Sequence, residues 1–190
     1  MGKARLEAFS DGVIAILITI MVLELHIPLG ISWEALRPTL PIFLTYILSF
    51  VVLGIYWNNH HHMFHVVQRV NGKILWANLH LLFWLSLIPF VTGWMGENHF
   101  TSVPTAMYGI VLIMCAVAYT ILQTTIIRQE GPSSRLAQMV KNDVKGKVSL
   151  ALYAVAIPLA FVNEMLAGAL YVAVAVIWFI PDRRIEEHVA

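Results

Sequence analysis

Residues 5–28 read RLEAFSDGVIAILITIMVLELHIP, and this stretch decides the fold. Charge stands only at its ends, with Arg5, Glu7 and Asp11 before the apolar run and Glu24 after it. Between them Gly12 to Leu23 supplies twelve uncharged residues. A helix rises ~1.5 Å per residue, which puts Asp11 and Glu24 about 20 Å apart. The hydrocarbon core of a bilayer is ~30 Å thick, so a spanning helix draws one or more of these acids toward membrane depth. At ~100° per residue, Phe9, Gly12, Ile16, Ile20, Leu23 and Ile27 share one face, with Thr19 at its edge and Asp11 roughly opposite. An apolar face by itself suits lipid or helix packing. The acid on the other side calls for a partner, which lipid does not offer.

The rest of the chain has the same character. Of 190 residues 59% are hydrophobic and 12% charged, against about 25% charged in a soluble domain. Several runs approach or exceed the ~18 apolar residues of a membrane helix. The expected fold class is an all-α integral membrane protein, a single domain over 1–190 with six transmembrane helices per subunit. Their ranges are about 5–27, 40–65, 74–94, 105–128, 148–163 and 167–180. Pro28 and Gly30 close the first helix, and Pro38 and Pro41 open the second. Asn71-Gly72 marks a turn, and Pro89 and Pro158 fall inside spans, where neighbouring helices must re-satisfy the freed carbonyls. The polar segment 129–147 holds Gly131-Pro132 and a candidate amphipathic surface helix over 133–145.

The net charge of +1 hides an asymmetry. Lys3, Arg5, Arg69, Lys73, Arg128, Arg135, Lys141, Lys145, Lys147, Arg183 and Arg184 fall on one side, and only Arg37 on the other. The other side holds Glu24, Glu34, Glu97 and Glu164. The positive-inside rule places both termini in the cytoplasm, which requires an even number of spans. The single cysteine, Cys115, excludes an internal disulfide and a cysteine metal cluster. Glu7 and Asp11 interrupt the leader-like N-terminus, so the first run is expected to stay as a helix.

A second polar feature is Trp57-Asn58-Asn59-His60-His61-His62-Met63-Phe64-His65. The first helix starts where the second ends, so Asp11 or Ser10 is expected to bond to one of His60, His61 and His62, with Arg5 completing the network. His61 and His65, four apart, could instead hold zinc or iron, but three adjacent histidines point in different directions and no second cluster exists. Solvated interface histidines are the remaining reading. Asn78 is expected to bond across helices. Glu164 and Asn163 are expected to be solvated at an outer turn, and Trp33, Trp57, Trp94 and Trp178 to form an interfacial belt.

Arg5-x-x-x-Phe9-Ser10-Asp11 resembles the RxxxFSD signature of the transmembrane protein 175 family of potassium channels, in its six-helix bacterial form. The match runs on through GVIAILITIMVLEL. Trp57 with its histidines and Asn78 also resemble family positions, and the W-x-x-H-H spacing favours His60 or His61 as the partner. The resemblance implies a homotetramer in which the first helix of each subunit surrounds a central pore without a carbonyl filter. Ile16, Ile20 and Leu23 would form the constriction, narrowest at Ile16. Thr19 and Glu24 would be the polar groups beside it, with permeant potassium near Ile16 and Thr19. An apolar constriction gates by dewetting and selects by partial dehydration.

The implied setting is a plasma membrane, multi-pass and bacterial, with lipid as the surrounding partner and no nucleic acid, cofactor or resident metal. A secondary cation transporter is the main alternative; it calls for charged residues near the midplane, which these spans lack. A membrane enzyme needs a catalytic cluster that only the histidine run could supply, so no enzymatic activity is expected. A passive assembly subunit is the third alternative.

Overall fold

The computed structural model describes residues 2–141 and 143–179, and all of its regular structure is helical. The expected end of the last helix at Ile180, and the basic pair Arg183-Arg184, lie outside the described residues. α1 is Lys3–Ile20, α2 Leu40–Val66, α3 Gly72–Ser86, α4 Ile88–Glu97, α5 Ser102–Glu130, α6 Arg135–Val140, α7 Val144–Leu159 and α8 Glu164–Phe179. Among the described residues four stretches are long and apolar enough to cross a membrane: Lys3–Glu24, Trp33–Val66, Gly72–Glu97 and Ser102–Glu130. α7 and α8 have 16 residues each.

Local chemistry accounts for the boundaries. The first helix is α-helical only to Ile20, then tightens into a 3₁₀ turn over Met21–Glu24, with Leu25 already extended. It therefore ends short of the expected Ile27, because Pro28 bars the helix from continuing. The expected third helix over 74–94 is broken in two at Leu87. Pro89 has no N–H to give to the preceding turn and instead sits in the first turn of α4, where none is needed. The Asn71 side chain caps α3 by accepting from Ile74 N at 2.9 Å. Asp143 caps α7 through Gly146 N at 2.7 Å, so that helix begins at Val144 and not at 148. Asn163 accepts from Leu166 N at 3.0 Å, and α8 begins at Glu164 and not at 167.

α3 packs on α5, α2 on α4, and α7 between α5 and α8, while α1 lies against α2, α3 and α4. Close approaches are made at glycines, as membrane helix packing favours. A Cβ on Gly96 would stand 2.7 Å from Ile42 Cα, so α4 crosses the backbone of α2 there. Gly109 leaves room on α5 for the Tyr171 phenol, which donates to Thr105 O at 3.0 Å. Tyr108, Tyr171 and Tyr153 pack ring to ring along the α5–α8–α7 seam, with centroids 5.4 and 6.1 Å apart.

Candidate functional site

α1 has two distinct faces. Leu6, Ser10, Ile14, Leu17 and Met21 are buried against the rest of the chain. Phe9, Ile16, Ile20, Leu23 and Ile27 stand 45% to 88% exposed, Ile16 at 62% and Leu23 at 77%. Gly12 and Thr19 are exposed on the same side. The apolar row read from the sequence is thus the uncovered face of the helix. Thr19 Oγ1 is 3.0 Å from both Ala15 O and Ile16 O, so its proton is held by the helix backbone and its lone pairs face outward.

Glu24 turns the other way. Its carboxylate lies against Gly93 of α4, with Oε2 2.9 Å from where a Cβ would be. Beyond the turn, His26 Nε2 is 3.9 Å from Glu97 Oε1.

Ser10 seats α1 in the bundle through a relay of hydrogen bonds. The Asn78 amide donates to Ser10 Oγ at 2.9 Å, and Ser10 donates to Leu6 O at 2.9 Å. Asn78 Oδ1 lies 2.8 Å from His60 Nε2. An amide oxygen only accepts, so His60 carries its proton on Nε2. The relay runs His60 to Asn78 to Ser10 to Leu6, and all three polar side chains are buried. His60 also stacks on Phe64, centroids 4.5 Å apart. Its Nδ1 is buried with no partner among the described residues.

This corrects the expected direct bond between Asp11 or Ser10 and a histidine. Asn78 stands between Ser10 and His60, because α3 brings its amide within 2.9 Å of Ser10 Oγ and 2.8 Å of His60 Nε2. Asp11 is half-buried and accepts from Trp57 Nε1 at 3.1 Å. Trp57 is therefore a specific inter-helix donor as well as an interfacial ring. Arg5 is exposed and joins no hydrogen bond or ion pair among the described residues. His61 stacks on Trp57, centroids 6.2 Å apart, with His65 tilted against it at 6.5 Å, outside the relay. Among the described residues no three His, Cys, Asp or Glu side chains gather as a metal site.

Several contacts were not read from the sequence. Lys3 Nζ donates to His65 O at 3.0 Å, tying the start of α1 to the end of α2. Ser49 Oγ lies 2.6 Å from Thr92 Oγ1 and 3.0 Å from the Tyr108 hydroxyl, and Thr92 donates to Ile88 O at 2.6 Å. This buried hydroxyl cluster joins α2, α4 and α5. Its only sequence signal is three hydroxyls inside apolar runs. Glu164, expected at a solvated outer turn, also accepts from Ser102 Oγ at 3.0 Å, and Trp178, expected in the interfacial belt, donates to Ser149 Oγ at 2.8 Å.

The sequence that forms α1, α2 and α3 matches a known family. Residues 5–89 fit the family described as endosomal/lysosomal potassium channel TMEM175, and this span holds every member of the relay. Over 187 residues, the chain is 57% identical to a Chryseobacterium protein named a potassium channel, covering 98% of this chain and 97% of that one. The chain belongs to the TMEM175 family. A Streptomyces collinus protein, also named a potassium channel, is 36% identical over 128 residues, 63% of this chain and 62% of that one. The TMEM175 fold is shared with the crystal structure of a lysosomal potassium-selective channel TMEM175 homologue from Chamaesiphon minutus. The TM-score is 0.77 at 25% identity, over 94% of this chain and 96% of that one. The chain is a multi-pass membrane protein of a channel family and not an enzyme.

Proposed function

We propose that the chain is one subunit of a potassium-permeable channel in which α1 of each of four copies lines a central pore. The observation that carries this reading is the two-sided character of α1. One side is locked to α2 and α3 by the relay and by Asp11–Trp57, and the other presents Ile16, Ile20 and Leu23 uncovered. The bacterial relatives named potassium channels supply the ion.

In this arrangement Ile16, Ile20 and Leu23 form stacked apolar rings around the axis, narrowest at Ile16. An ion crosses such rings only by shedding part of its water, which potassium does more readily than sodium. Thr19 sits one turn beyond Ile16 with its oxygen lone pairs free, and so favours a partly dehydrated cation there. Glu24 contributes to cation concentration at the outer mouth through its field, from its seat on Gly93.

Each subunit crosses six times, with α3 and α4 as one broken crossing and α7 and α8 as the short fifth and sixth. Both termini lie in the cytoplasm of a bacterial cell, and the membrane is the plasma membrane. The break at Leu87 is what a transporter would also need. Among the described residues it carries no charged side chain, so it lacks the ion ligands of that mechanism.

Purified protein in liposomes tests the proposal. Potassium flux that exceeds sodium flux, does not exchange with a coupling ion, and comes from a tetramer by native mass spectrometry is expected. Saturating, coupled exchange would replace the channel with a transporter.

A further inference from the structure

A cleft of about 880 Å³ opens at the end of the bundle where α2 stops, α3 begins and α5 runs out, far along the chain from the pore residues. Arg69, Gln129, Glu130 and Arg135 line it, with the half-buried Val66 and Val70. A second cleft of about 250 Å³ shares Asn71 and Gln129 with it and adds Lys73 and Arg128. Four exposed cations, Arg69, Lys73, Arg128 and Arg135, thus surround Gln129. Their side chains form no hydrogen bond or ion pair among the described residues.

The frame of the cleft is set by the protein itself. Glu130, the one acid among the described residues of its lining, accepts from Gln68 N at 2.6 Å. Gln129 Nε2 donates to Arg69 O at 2.7 Å, which fixes the α2–α3 connection to α5. That bond leaves Gln129 Oε1 buried and without a donor among the described residues. The site offers positive charge for a phosphate, an acceptor in need of a hydroxyl, and valines for an apolar stem. Trp76, exposed one turn into α3, marks the membrane interface beside it.

We propose that this cleft binds the headgroup of an anionic phospholipid of the phosphatidylglycerol type from the facing leaflet. The phosphate lies between Arg69 and Arg135, and a headgroup hydroxyl lies toward Gln129. Guanidinium groups match phosphate geometry, and each basic residue near an anionic surface strengthens binding. The inference needs only that this end of the bundle lie at a charged leaflet. It holds whichever helix lines the pore.

The test is native mass spectrometry of the purified full chain after exchange into mixed phosphatidylglycerol and phosphatidylcholine micelles. Wild type is expected to retain phosphatidylglycerol, about one per subunit, and not phosphatidylcholine. The Arg69→Gln/Arg135→Gln variant should bind it about 30-fold more weakly. Lys141→Gln/Lys147→Gln, which removes the same charge outside the cleft, should bind as wild type does. Millimolar glycerol phosphate should not displace the lipid. Equal retention by the Arg69/Arg135 variant overturns the proposal, as does equal loss in the Lys141/Lys147 control. Displacement by glycerol phosphate overturns the lipid as the occupant. A thermal shift of wild type by phosphatidylglycerol over phosphatidylcholine is the second expected reading, and its absence also overturns the proposal.

Discussion

Replacing Asn78 with Leu tests how α1 is held. The change keeps the volume and removes both ends of the amide, so the 2.8 Å bond to His60 and the 2.9 Å bond to Ser10 go together. Inter-helix hydrogen bonds in membrane proteins average ~0.6 kcal/mol each and reach ~1.7. Two of them give a loss of about 1 to 3 kcal/mol. Most of the loss comes from the His60 Nε2–H, which stays buried without an acceptor. His60→Phe in the same background removes that orphan donor and keeps the stack on Phe64. The double variant should therefore lose less than the sum of the single losses, by about 1 kcal/mol. Thermal and SDS-titration unfolding of the purified proteins measures all corners of the cycle. Strict additivity, or an Asn78→Leu protein as stable as wild type, would refute the relay as the seat of α1.

Gly96→Ala brings a Cβ to 2.7 Å from the Ile42 backbone, which cannot swing aside, and should cost about 1 to 3 kcal/mol in the same unfolding assay. Gly93→Ala meets only the flexible end of Glu24, so it should be nearly neutral in stability while moving that carboxylate. A stable Gly96→Ala would contradict the close crossing of α4 over α2. Trp57→Phe removes the donor to Asp11 and should destabilise the protein by about 1 kcal/mol. Asp11→Ala on top of Trp57→Phe should add less than it does alone, and an undiminished second loss would show that the pair is not coupled.

The bundle and its site were legible in the sequence to different depths. The apolar face of α1 could be read from periodicity alone, because a row at Phe9, Ile16, Ile20 and Leu23 needs no knowledge of neighbours. Asn78 could be picked as a cross-helix residue, since an amide at membrane depth must find a partner. Which partner it finds depends on how α3 is rotated against α1 and α2, and no local pattern encodes that rotation. The expected Asp11–histidine bond was replaced for this reason by Trp57 on one side and the Asn78 bridge on the other. The break at Leu87 was signalled by Pro89. Whether a membrane proline kinks a helix or restarts it depends on the carbonyls around it. The cleft beside Gln129 was not legible, because it is made where residues 65–71 meet 129–135.

The most direct test of the central claim is the ion flux of Ile16→Asn protein in liposomes, potassium against sodium. An amide in place of the ring of sec-butyl side chains admits hydrated ions, so sodium flux should rise and the preference for potassium should fall. Flux and preference both unchanged from wild type would place the constriction elsewhere and contradict α1 as the lining of the pore.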